Sequence, residues 1–187
     1  MSQNSKTIAA LYCEPASIYH DFQQVDVYDE ERDALTFRGG MPIIAHPPCR
    51  LWSRLRHMST AAIAERQFAI HAINVARSHG GIVEHPASSS LWKFPGMPKR
   101  GQRDAQGGWI MTIDQGAFGH QCQKRTSLYM FGIQPEQLPA FSIWSNHTRT
   151  VQSQHSGNRN STPEPMARWL IECATIIIIN QNHEADL

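Results

Sequence analysis

The sequence predicts an α/β fold, and three observations carry that prediction. Short apolar runs without alternation, Ile43-Ile44-Ala45 and Ile82-Val83, have the form of strands buried on both faces. Between them lies a helix-length stretch, Thr60 to Ser78, with apolar residues at helical spacing. Strand, helix and strand of this length form a unit whose two strands are parallel and whose crossover is right-handed.

The elements follow in order. Thr7 to Tyr12 reads as a buried first strand, stopped by Cys13-Glu14-Pro15. Ala16 to Phe22 is too short and irregular for a full helix. Val25 to Asp29 alternates and reads as a second strand ending in acid, and Glu30 to Phe37 holds at most one helical turn. The run Ile43 to Ala45 ends at His46-Pro47-Pro48-Cys49, because proline cannot donate to a ladder and biases its predecessor away from helix. The helix over 60–78 presents Ala61, Ala64, Phe68, Ala72 and Val75, widened by Ile63, Ile70 and Ile73, with Ser59 or Thr60 as its N-cap and Gly80-Gly81 as its stop. Ile82-Val83 ends at Glu84-His85-Pro86. The stretch 93–108 is a long loop rich in glycine and proline, with Lys93, Lys99, Arg100 and Arg103. Trp109 to Ile113 and Ser127 to Phe131 read as further strands around a glycine-bearing turn. The stretch 134–160 is irregular. Thr162-Pro163 caps a closing amphipathic helix to about Ile178, built on Met166, Leu170, Cys173 and Ile177.

Composition limits the classes. The 187 residues suit one compact domain, and 41% hydrophobic with 18% charged residues marks a folded chain. A formal charge of +1 advertises no global attraction to nucleic acid or membrane, so a DNA-binding face has to be local. The N-terminus has no secretory pattern, and the longest apolar run, Ile176 to Ile179, is too short to span a bilayer. Four cysteines without paired spacing read as reduced thiols of a cytoplasmic protein that has no membrane partner.

Three motifs could carry chemistry. Pro47-Pro48-Cys49 fixes a thiol after a strand, and Arg50 and Arg54 with His46 offer the positive charge that activates a thiolate. Glu84 at a strand end can acquire a raised pKa in a cleft and donate a proton to a ring nitrogen. Arg125, in Gln121 to Ser127, can hold a carbonyl or phosphate in a fork. If the two central strands are neighbours, Cys49 and Glu84 face one cleft at their carboxyl ends. Of the five tryptophans, Trp52 and Trp92 follow a motif closely enough to lie near it.

In this order the motifs resemble the DNA cytosine-5 methyltransferase family, and the compact chain resembles small phage or prophage proteins of that outline. Pro47-Pro48-Cys49 resembles the family's Pro-Pro-Cys. Glu84-His85-Pro86 resembles its Glu-Asn-Val or Glu-Asn-Pro, with His85 for Asn. Gln123-Lys124-Arg125-Thr126-Ser127 resembles its Gln-x-Arg-x-Arg, with Ser127 for the second Arg. Asn160-Ser161-Thr162-Pro163 stands where the family has a Pro-bearing segment before the closing helix.

The resemblance implies a shortened Rossmann-like sheet, mostly parallel, with helices on both faces. It implies covalent catalysis on a pyrimidine of DNA or of a nucleotide. Cys49 adds to C6, Glu84 binds N3 and the exocyclic amine, and Arg125 holds O2, while Pro48, Arg50, Gln123 and Ser127 complete the substrate site. It further implies S-adenosylmethionine, held by Tyr12, Glu14, Asp26 and Asp29. The family's Phe-x-Gly-x-Gly loop is here Tyr12 to Ser17, without glycine.

Two other readings stand beside it. One is a non-catalytic DNA-binding or antirestriction relic of the same fold, with Lys93, Lys99, Arg100 and Arg103 on phosphates. The other gathers His46, Cys49, His85, His120 and Cys122 around zinc.

Overall fold

The computed structural model describes residues 6–53, 56–144 and 161–185. One six-stranded sheet organises them, built from β1 (Ile8–Leu11), β2 (Val25–Val27), β3 (Ile43–Ala45), β4 (Gly81–Pro86), β5 (Trp109–Asp114) and β6 (Arg125–Phe131). The spatial order is β2-β1-β3-β4-β6-β5.

β1 pairs in parallel with β2 and β3, and β3 pairs in parallel with β4. β6 runs antiparallel to both β4 and β5. The sheet is therefore mixed, which corrects the expected mostly parallel one. The reason lies in the connection: residues 115–124 contain only a 3₁₀ turn, Gln115–Phe118. A parallel return needs a crossover of a dozen or more residues, usually with a helix, so the chain turns straight back instead.

Each face of the sheet carries one long helix. α1 (Arg66–His79) buries Ala69, Ala72, Ile73 and Ala76. Its residues Ala72, Ile73 and Ala76 join Ala9, Leu11, Ile43, Ala45 and Val83 on one face. α2 (Glu164–Ala185) packs Met166, Leu170, Cys173 and Ile177 against Ile8, Ala10, Ile44 and Ile82 on the other. Alternate residues of one strand thus feed opposite layers, as a pleated strand requires. Burying each of these isoleucines contributes about 1.5–3 kcal/mol.

α1 starts later than its sequence pattern predicts. Residues 63–65 form a 3₁₀ turn, Glu65 stands at the cap position without a side-chain bond to the helix amides, and Ile63 is 82% exposed. Neither Ser59 nor Thr60 caps it. The 3₁₀ turn Ile63–Glu65 takes up the first part of the length that periodicity assigns to the helix. The predicted stop is present, with Gly80 at a φ of 78°. α2 runs on through the four isoleucines, of which Ile177 is buried and Ile179 is 49% exposed. No helix among the described residues is long and apolar enough to cross a membrane.

The central pair of strands is held close. In Gly81 (φ 147°), an added Cβ would lie 2.5 Å from the backbone oxygen of Ile43. Only glycine fits there, and that contact sets the register Ile43↔Gly81 and Ala45↔Val83. The ends of β3 and β4 are thereby brought side by side.

Candidate active site

Past those strand ends opens a cleft of about 1570 Å³, lined among others by Cys49, Glu84, Lys124, Arg125 and Trp92. Cys49 follows Pro47-Pro48 and begins the 3₁₀ turn Arg50–Trp52. Its side chain is exposed, whereas Cys13, Cys122 and Cys173 are buried. The two prolines stop β3 and limit the freedom of the turn, so the thiol is presented at the sheet edge instead of sinking into the core.

Glu84 belongs to β4 itself and reaches the cleft with its side chain 13% exposed. Three side chains converge on its carboxylate. Thr126 donates its hydroxyl to Oε1 at 3.0 Å, and Gln115 Nε2 donates to the same oxygen at 3.4 Å. His46 Nδ1 lies 3.2 Å from Oε2. The other nitrogen, Nε2, lies 3.1 Å from the hydroxyl of buried Tyr19. A carboxylate can only accept, so His46 turns an Nδ1–H toward Glu84.

This network reverses the expected acid–base role of Glu84. Burial pushes its pKa up, but the His46 hydrogen bond and the His46, Lys124 and His85 charges outweigh it and hold the carboxyl at about 2. Glu84 is ionised at neutral pH and accepts hydrogen bonds from its neighbours instead of donating a proton.

The other expected residues divide. Pro48, Gln123, Arg125 and Ser127 line the cleft with Cys49 and Glu84. Arg125 is exposed at the start of β6, and Ser127 is held by a 2.9 Å hydroxyl contact with Thr112. Arg50 does not line the cleft: its guanidinium turns to Glu65, with Nε donating at 2.7 Å. Arg54 lies outside the described residues. Trp92 lines the cleft, whereas Trp52 is buried beneath Leu91 and Ala69. From the basic loop, Lys99 and Arg100 reach the cleft, while Arg103 is bonded to the Gly107 carbonyl at 2.8 Å and to Gln134.

Lys124, Thr126, Gln115 and Tyr19 were not legible as site residues. Lys124 and Thr126 occupy the unassigned positions of the third motif, and Gln115 and Tyr19 sit in short turns with no motif. Lys124 lines the cleft half-buried, and its Nζ lies 3.4 Å from the Ser161 carbonyl. Burial lowers its pKa, and the negative charges of Glu84, Cys49 and Glu14 pull it only part of the way back.

The residues expected to hold S-adenosylmethionine do not fit that group. Tyr12 and Glu14 line the cleft, but Tyr12 (φ 60°) turns its hydroxyl to His71 Nδ1 at 2.8 Å, and Glu14 places a carboxylate where a glycine backbone was needed. Asp26 and Asp29 lie outside the cleft lining. Asp26 is paired with Arg32 at 2.5 Å, and Asp29 accepts from the Glu31 and Arg32 amides and from His20.

The zinc set is not assembled either. Among the described residues no three His, Cys, Asp or Glu side chains gather to hold a metal ion. His46 and Cys49 line the cleft. His120 and Cys122 are buried, with the Cys122 amide donating to His120 Nδ1 at 3.1 Å. His85 is fully buried, edge-on to Trp92 at 6.1 Å. Against protein-family models and against curated proteins this chain finds no match.

Proposed function

We propose that the cleft binds a pyrimidine base, in DNA or in a nucleotide, and activates it by adding Cys49 to C6. The observation that carries this reading is the delivery of Cys49 and Glu84 to one cleft by adjacent parallel strands. The resemblance to DNA cytosine-5 methyltransferases, with a shortened Rossmann-like sheet, supports the same assignment.

In the addition, the sulfur–C6 bond forms and the C5–C6 π pair moves toward the 3,4-edge of the ring. C5 then becomes nucleophilic. Glu84 accepts an N–H from that edge, for which Oε2 has a lone pair left beside His46. Arg125 holds O2, Gln123 lines the cleft beside it, and Trp92, Pro98 and Ile110 supply the apolar wall. Lys99 and Arg100 meet the phosphate. A base in a duplex has to be flipped out first, at a few kcal/mol.

A second reading is a DNA-binding remnant of this fold without catalysis. The loss of Asp26 and Asp29 to Arg32 and His20 favours it. One experiment separates the two. Reversible addition exchanges the C5 hydrogen for solvent deuterium without any cofactor. Duplex DNA, single-stranded DNA and pyrimidine nucleotides are incubated in heavy water and analysed by mass spectrometry. Cys49-dependent uptake supports the enzyme, as does covalent capture of a 5-fluoropyrimidine that Cys49→Ala abolishes. Equal behaviour of parent and Cys49→Ala refutes the nucleophile.

A further inference from the structure

Two of the groups that this chemistry was expected to use are engaged with other partners. Arg50, the arginine next to the thiol, is turned to Glu65. Glu84, the expected acid, is held ionised by Thr126, Gln115 and His46. An addition to C6 nevertheless needs a cation beside the sulfur and a proton at the base edge.

Lys124 lines the same cleft half-buried, with its Nζ 3.4 Å from the Ser161 carbonyl. Its main chain is pinned at the mouth of β6: the amide donates to Asp114 Oδ1 at 3.2 Å, and the carbonyl accepts from the Gln115 amide at 3.0 Å. Its ammonium shares the cleft with the groups whose negative charges act on it, Glu84 from β4, Cys49 from the turn after β3 and Glu14 from the loop after β1. Arg125, the next residue, is exposed. An ammonium partly stripped of water, in one cleft with a thiol and an acceptor-only carboxylate, both stabilises a thiolate and releases a proton more readily than an exposed lysine.

We propose that Lys124 is the cation that keeps Cys49 ionised and the acid that protonates the base edge as the sulfur adds. This rests on the pyrimidine reading for its second half only. In that step the sulfur–C6 bond forms, the displaced pair reaches N3 of cytosine or O4 of uracil, and an N–H bond of Lys124 breaks to place its proton there. The amine left behind is neutral.

The test uses the full chain with Lys124→Gln, Lys124→Arg and Cys49→Ala, each checked for folding by its melting transition. Alkylation of Cys49 by iodoacetamide, followed by peptide mass spectrometry from pH 6 to 11, needs no base. Lys124→Gln should slow it about tenfold at pH 7, with the difference vanishing at the alkaline end. Lys124→Arg should restore it to within about twofold. Unchanged alkylation in Lys124→Gln overturns the counter-ion role.

C5 deuterium exchange reads the second half. Lys124→Arg keeps the charge but cannot give up a proton, so exchange should fall about 10²-fold while alkylation persists. Full exchange in Lys124→Arg overturns the acid role. Should Lys124→Gln fold poorly, the pair Lys124→Arg and parent still decides that half. Lysine-dependent alkylation with no exchange in the parent overturns the acid role together with the pyrimidine reading, and leaves the counter-ion role supported.

Discussion

His46 Nδ1 lies 3.2 Å from Glu84 Oε2, joining the ends of the two adjacent parallel strands β3 and β4. Through Tyr19 on one side and Thr126 and Gln115 on the other, the contact extends into a chain of hydrogen bonds across the floor of the cleft. It turns a buried acid into a permanent acceptor.

That contact predicts an acid-sensitive stability. The Glu84 pKa is depressed from 4.5 to about 2, so its contribution is fully present above 4.5 and is lost as pH falls toward 2. At ~1.4 kcal/mol per unit the loss is on the order of 3 kcal/mol. Urea unfolding of the parent between pH 5 and 2 should show this slope, and Glu84→Gln should flatten it. An unchanged slope in the variant would place the acid sensitivity elsewhere.

His85 predicts a second, higher window. The ring is fully buried on β4, and among the described residues no group meets hydrogen-bond geometry with either nitrogen. Burial lowers its pKa from 6.5 to about 4, opposed only in part by the Glu84 charge and the Pro48 carbonyl. The unfolded chain takes up this proton first, so stability declines as pH falls from 6.5 to 4, again by about 3 kcal/mol. His85→Phe keeps an edge-on ring against Trp92 and should remove that decline while costing under about 2 kcal/mol at pH 8.

Asp104 anchors the loop that brings Lys99 and Arg100 to the cleft. Its side chain is 3% exposed and accepts from Arg77 at 2.7 Å, from Tyr129 at 2.8 Å and from the Gln106 and Gly108 amides at 3.0 and 2.9 Å. Arg77 also donates to the Gly96 carbonyl at 2.7 Å. Asp104→Ala leaves a half-buried guanidinium without its carboxylate, and about 3–5 kcal/mol should be lost in chemical denaturation. Binding of a fluorescent pyrimidine oligonucleotide should weaken alongside, and unaltered binding would detach this loop from the substrate.

Gly81→Ala should cost more than an ordinary glycine substitution. The new methyl meets the Ile43 backbone, so β3 has to move away from β4. At Gly96 (φ 83°) an added Cβ meets nothing within 4 Å, and Gly96→Ala should cost only the ~1–2 kcal/mol of the left-handed backbone. Denaturant midpoints of the two variants make the comparison. Because β3 leads into Cys49 and β4 carries Glu84, Gly81→Ala should also lower C5 exchange.

Most of the element order was legible because local rules decide it. Unalternating Ile43-Ile44-Ala45 has no solvated face, and Pro47-Pro48 must end a strand wherever the chain goes. Gly80 stops α1 for a similarly local reason, its positive φ. α1 starts later than its periodicity predicts because alanines at 61 and 64 satisfy a helical period without being buried. The reversal of β6 was not legible at all, since strand direction depends on which neighbour the chain returns to.

By itself, then, the amino-acid order determined the strands, the closing helix and the presence of a proline-fixed thiol and a strand-end acid, since backbone sterics and apolar periodicity act within a few residues. Only the tertiary structure decided the charges around them. Glu84 is ionised, Arg50 is turned away and Lys124 is drawn in, because a pKa or an ion pair depends on which groups from distant strands share the same few ångströms and how much water is left between them.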